Sequence, residues 1–149
     1  MNRTLLARVF VAAAATAFSG CVELNSVEVQ ELEGLWVADQ ARYVEIAAPK
    51  RNNVDILELG FEVTMDIDPN GNFTILVIDP AGDADSIVGN VTVDGAELAV
   101  VTEDGAGDGE VFLEEDQVAF RLTGGIEFDF GDDRVVPARL LLVLDRVRG

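Results

Sequence analysis

Histidine is absent from the 149 residues, and cysteine, tryptophan, tyrosine and lysine each occur once. Without histidine there is no Ser-His-Asp or Cys-His nucleophile pair, no imidazole acid or base, and none of the usual histidine-based zinc sites. Positive charge is also scarce. Ten Lys plus Arg stand against 28 Asp plus Glu, for a formal net charge of −18. Nucleic acid and anionic lipid surfaces would both repel such a chain, so neither is an expected electrostatic partner. Hydrophobic residues nevertheless make up 49%. That excludes a disordered acidic tail and suffices, at this length, for one domain with a sizeable core.

The lone cysteine follows an apolar run. Arg3 and Arg8 supply a positive start, Val9 to Phe18 is apolar, and the small residues Ser19 and Gly20 precede Cys21. These are the parts of a secretory signal, and the run is too short to cross a bilayer core of roughly 30 Å as a helix. One reading is an ordinary signal peptide with a chance cysteine. The other is that Phe18-Ser19-Gly20-Cys21 resembles a bacterial lipobox. That resemblance implies cleavage before Cys21 and acylation of its thiol, with three acyl chains giving effectively permanent attachment. The chain then divides into a signal peptide (1–20), a lipidated cysteine with an acidic tether (21–33) and a folded domain (34–149). The expected address is the bacterial cell envelope, with the membrane as partner through the lipid. Val22 stands where an Asp is associated with inner-membrane retention. In a Gram-negative host the lipoprotein rule therefore implies the outer membrane, facing the periplasm or the exterior.

From Gly34 onward, turn signals recur every 8–12 residues, as in an all-β chain. In FEVTMDIDPNGNFTILVID, Phe61, Val63, Met65 and Ile67 alternate with Glu62, Thr64, Asp66 and Asp68, and Pro69-Asn70-Gly71 reverses the chain into Phe73 to Ile78. Further runs are Leu35 to Ile46, Ile87 to Val93, Leu98 to Thr102, Val111 to Leu113, Val118 to Leu122, Ile126 to Phe130 and Ala138 to Val147. Gly124-Gly125 reads as a turn between two of them. About nine strands joined by tight turns predict an antiparallel up-and-down meander. Closure into a barrel of about 8–9 strands would remove its exposed edges. An open two-sheet sandwich is the other arrangement that this periodicity allows. The one long connection, residues 47–59, would cover a barrel mouth.

Gly34-Leu35-Trp36 at the first strand, followed by a long connection and a meander, resembles the lipocalin (calycin) pattern. The likeness extends to small bacterial lipocalin-like lipoproteins through Val54-Asp55-Ile56, Phe128-Asp129-Phe130, Pro137-Ala138 and a Leu-rich last strand ending in Arg146. A second Gly-x-Trp, often present at mid-chain, is Gly89-Asn90-Val91 here, so that Trp is missing. The resemblance implies a barrel in which Trp36 plugs one end and Arg146 packs across it, with Arg139 and Arg148 as other candidates.

Two function classes follow. One is a non-catalytic binding module holding a small hydrophobic molecule against Phe61, Met65, Phe73 and Phe128. The alternative is a structural or protein-interaction lipoprotein with a side-chain-filled barrel, which the large inward residues and short strands favour. Acidic loops offer weak calcium candidates in Asp104, Asp108 and Glu115, at positions 1, 5 and 12 of DGAGDGEVFLEE. Asp and Gly are also what solvated turns use, and no metal or other cofactor is expected. No spaced carboxylate pair, nucleophile elbow or phosphate loop is present, so no enzymatic activity is expected.

Overall fold

The computed structural model describes residues 26–149. The signal segment, Cys21 and residues 22–25 lie outside the described residues. Nine strands follow one another: β1 (Gly34–Glu45), β2 (Asn53–Asp55), β3 (Glu62–Ile67), β4 (Asn72–Ile78), β5 (Ala84–Asp94), β6 (Glu97–Thr102), β7 (Gly105–Glu114), β8 (Gln117–Asp129) and β9 (Val135–Arg146). From β3 to β9 each strand pairs antiparallel with the next, β1 pairs with β3, and β9 pairs back onto β1. That last ladder runs from Trp36↔Arg146 to Glu45↔Ala138. The result is an all-β, closed eight-strand antiparallel barrel with one extra strand, β2, on β1. Closure removes the two free edges of an open meander, although Ala84–Val88 of β5 run past the end of β6 and pair with β4 alone. β9 is bonded on both sides, which suits the uninterrupted apolar run Leu140 to Leu144.

The hairpin β3–β4 shows how local chemistry sets register. Alternation puts Val63, Met65 and Ile67 inside, and the Asp68 side chain builds the reversal. Its Oδ1 accepts from the backbone N–H of Asn70 at 2.8 Å and of Asn72 at 2.9 Å. Gly71, at φ +84°, takes the left-handed position that the turn needs.

Three sequence expectations change. First, β7 extends to Gly105, well before Val111, because backbone pairing with β6 carries the glycine-rich GAGDG segment as strand. Second, Gly124-Gly125 is no turn. Val118–Leu122 and Ile126–Phe130 belong largely to one continuous strand, β8, with a register shift between Leu122 and Ile126. Gly125 sits there at φ +76°, and a Cβ on it would lie 1.9 Å from the Ala106 carbonyl oxygen. Only glycine fits such an approach.

Third, the segment expected to be a tether is, from Val27 on, part of the folded unit. Val29–Leu32 forms a 3₁₀ turn, Leu32 is fully buried, and Val27 donates its N–H to the Gly95 carbonyl at 2.9 Å. Val27, Val29 and Leu32 all reach the core, the step from 29 to 32 being one 3₁₀ turn.

In the long connection, β2 and the 3₁₀ turn Ile56–Leu59 bulge from the edge of β1 that β3 also uses. Asp55 holds that break together. It is only 7% exposed, and its Oδ1 accepts from the Leu57 N–H at 3.1 Å and the Ala41 N–H at 3.2 Å. The β1 amide left without a strand partner is thereby satisfied.

Candidate functional site

The two ends of the barrel are filled differently. At one end, Trp36, Ile67, Val91, Val118 and Leu144 meet with essentially no exposed surface, and Leu32 closes the stack from the 3₁₀ turn. Trp36 Nε1 donates to the Leu32 carbonyl at 2.9 Å. The Arg146 guanidinium lies 4.2 Å from the Trp36 ring centroid. Its Nη1 and Nη2 donate to the carbonyls of Glu33 at 2.5 Å and Glu31 at 2.9 Å. One cation thus covers an aromatic face and satisfies two carbonyls beside the 3₁₀ turn, a face contact worth about 0.5–2 kcal/mol. Gly34 leaves room for it, since a Cβ there would lie 2.9 Å from Arg146 Nη1.

Toward the other end the inward side chains shrink. Ala41 on β1, Gly105 and Gly107 on β7 and Gly125 on β8 border a cavity of about 600 Å³. Val63, Ile75, Val100, Leu122 and Leu140 give it an aliphatic wall, with Phe73 at its floor. Exposed Asp104, Gly105 and Glu127 also border it, which puts its mouth at the end away from Trp36. Period-two glycines opposite Val100 and Thr102 leave no side chain where the barrel would otherwise fill.

Polar groups on the wall are few. Thr102 is one, and Tyr43 is the other that projects from within the barrel. The Tyr43 ring stacks on Phe128, centroids 4.0 Å apart and planes 16° from parallel, and Phe130 meets Phe128 edge-on at 4.9 Å. Burial pushes the Tyr43 phenol above its ordinary value of 10.0, because the phenolate would lose hydration. Nearby, Glu45 is buried at 6% exposure and accepts from the Asn52 side-chain amide. Among the described residues no buried side-chain polar atom lacks a partner.

Of the four residues expected to line a ligand site, Phe73 alone borders the cavity. Met65 lies in the packed end, in register with Trp36. Phe61 is half-buried against the core, and Phe128 is occupied by Tyr43. Large inward side chains fill the Trp36 half, whereas in the other half the Tyr43–Phe128 stack stands to one side of the space the glycines leave. The expectation of short strands fails as well, because β1 and β9 have 12 residues each and β8 has 13. Sequence reasoning missed Tyr43, Ala41, Thr102 and the inward glycines. The alternating glycines of GAGDG were the available signal, set aside as a loop.

The calcium candidates do not converge. Asp104 lies in the β6–β7 turn, Asp108 within β7, and Glu115 in the turn beyond its far end. In an extended strand residues advance about 3.3 Å each, so the outer two stand far apart. Among the described residues no group of three potential ligands is placed to hold a metal ion.

No protein-family model matches the chain, and no curated protein does. A solved structure of similar backbone is a de novo designed fluorescence-activating β-barrel. It is 13% identical, with 80% of this chain and 96% of that chain covered, at a TM-score of 0.43.

Proposed function

We propose that this chain is a lipid-anchored, non-catalytic binding protein of lipocalin-like form that holds a small apolar molecule in the open half of its barrel. The observation behind this reading is the cavity of about 600 Å³ with its aliphatic wall. Small-ligand sites typically occupy about 300–1,000 Å³ and are mostly apolar with a few placed polar groups. A barrel acting only through its outer face has no need of an unfilled half, since cavity-facing side chains forfeit dispersion contacts. The lipocalin-like form is supported by a closed meander, Gly34-x-Trp36 on its first strand, and Arg146 of its last strand against Trp36.

Anchorage through Cys21 rests on the lipobox-like Phe18-Ser19-Gly20-Cys21 and puts the protein on a bacterial envelope membrane. Val27 is docked beside Gly95, at the Trp36 end. Six residue steps separate it from Cys21, a reach of at most about 20 Å. In this proposal the lipid is joined to the barrel at its packed end, opposite the cavity mouth.

The test is equilibrium binding of an uncharged apolar dye, N-phenylnaphthylamine, to the chain carrying Cys21→Ser and purified without detergent. Saturable one-to-one binding is expected, weakened at least about tenfold by the cavity-filling Val100→Trp. No saturable binding, or binding indifferent to Val100→Trp in a folded variant, would contradict the proposal.

A further inference from the structure

The cavity has a charge signature that its apolar wall does not require. Two acids border it, Asp104 and Glu127, and no lysine or arginine does. Histidine is absent from the chain. Among the described residues neither acid forms an ion pair, although Glu110, Asp116 and Asp132 do. The formal net charge of −18 adds a field of the same sign. Tyr43 meanwhile has its ring stacked on Phe128 and borders the cavity. Its hydroxyl takes no side-chain or backbone bond among the described residues, yet it is not a buried atom lacking a partner, so it meets solvent.

These features bear differently on three kinds of head group. A carboxylate brought to the mouth would shed hydration, meet no counter-charge and approach the like charges of two exposed acids, a repulsion that salt screens. An ammonium head would be drawn by the same two acids and by the field of the whole molecule. An alcohol would avoid both effects and find a phenol able to donate or accept one hydrogen bond. Resting on the binding function proposed above, we infer that the cavity takes an amphiphile with an uncharged or cationic head, rejects fatty-acid-type carboxylates, and meets the head with the Tyr43 hydroxyl. Tyr43 is the specificity-determining residue in this reading. The acids at the mouth set the sign of charge admitted.

The experiment displaces N-phenylnaphthylamine from the Cys21→Ser chain with dodecanol below its solubility limit, and with dodecylammonium and dodecanoate below their micelle concentrations, at neutral pH and low salt. Dodecanol and dodecylammonium are expected to displace the dye at concentrations at least about tenfold lower than dodecanoate. Added salt, or the double variant Asp104→Asn with Glu127→Gln, should narrow the gap between ammonium and carboxylate, since both weaken the same field. Tyr43→Phe should weaken dodecanol by about three- to tenfold, the range for one hydrogen bond. Dodecanoate displacing the dye as well as the other two overturns the selectivity. Unchanged dodecanol affinity in Tyr43→Phe overturns the assignment of that hydroxyl. A dye that does not bind at all is a different result: it removes the binding function itself, and this selectivity with it.

Discussion

Trp36 and Arg146 form the most interdependent contact at the scale of single residues. The indole is fully buried, its N–H is spent on Leu32, and its face carries the guanidinium that also holds Glu31 and Glu33. Trp36→Ala is expected to cost about 3–5 kcal/mol, the usual range for emptying a packed aromatic site. Arg146→Met, which keeps the aliphatic stem, should cost about 1–3 kcal/mol by stranding two carbonyls and an uncovered ring. Urea midpoints of the two variants measure this, and a Trp36→Ala protein of unchanged midpoint would refute the packed end. Asp68 gives a pH-dependent counterpart. Its carboxyl is held below the ordinary value, first by the Asn72 side-chain amide, against which desolvation acts, and then by the backbone N–H groups of Asn72, Asn70 and Gly71. Because the folded value lies below the unfolded one, the turn's contribution is present above the unfolded pKa and lost as pH falls through the folded pKa. Asn72→Ala should raise the Asp68 midpoint toward that of an ordinary aspartate, as read by carboxyl NMR titration. An unmoved midpoint would contradict the turn as described.

Among the elements, the weak place is the stretch of β1 that passes from β3 to β2, where a 3₁₀ turn replaces strand pairing. Asp55 bridges it with one oxygen serving two amides. Asp55→Ala would leave both N–H groups unsatisfied beside the core, at about 1–3 kcal/mol for each group that stays dry. Hydrogen exchange at Ala41 should then speed up far more than at Met65, which keeps its strand partners. Equal acceleration at both would mean that Asp55 acts only on global stability. Elements whose side chains alternate and whose turns carry Pro-Asn-Gly were legible in the sequence, and β3–β4 is the clearest. Closure of the meander was one of the two arrangements the sequence allowed, and the β9–β1 ladder decides it. What the sequence hid is backbone-determined. In β7 and β8 the glycines Gly105, Gly107, Gly124 and Gly125 have no side chains to show a period, so strand and bulge looked like loop and turn. The filled end, built of large residues, could be read; the hollow, built of absent ones, was not.

At the scale of the whole molecule, one barrel combines a solid end with an empty one. The solid end carries the 3₁₀ turn, the buried Trp36 and the chain's approach from Val27. It supplies the packing that lets the glycine-rich half stay open. Acids outnumber bases in the sequence, and among the described residues the ion pairs are Arg121–Glu110, Arg134–Asp132 and Arg148–Asp116. The only tyrosine lies in the open half and the only tryptophan in the closed half, so the two ends report separately. The most direct test is a methyl NMR titration of the Cys21→Ser chain with N-phenylnaphthylamine. Saturable shifts should concentrate on Ile75, Val100 and Leu140 around the cavity, while Ile67, Val91 and Leu144 in the packed end stay in place. Shifts spread evenly over both sets, or absent from the first, would contradict a barrel that is hollow at one end and solid at the other.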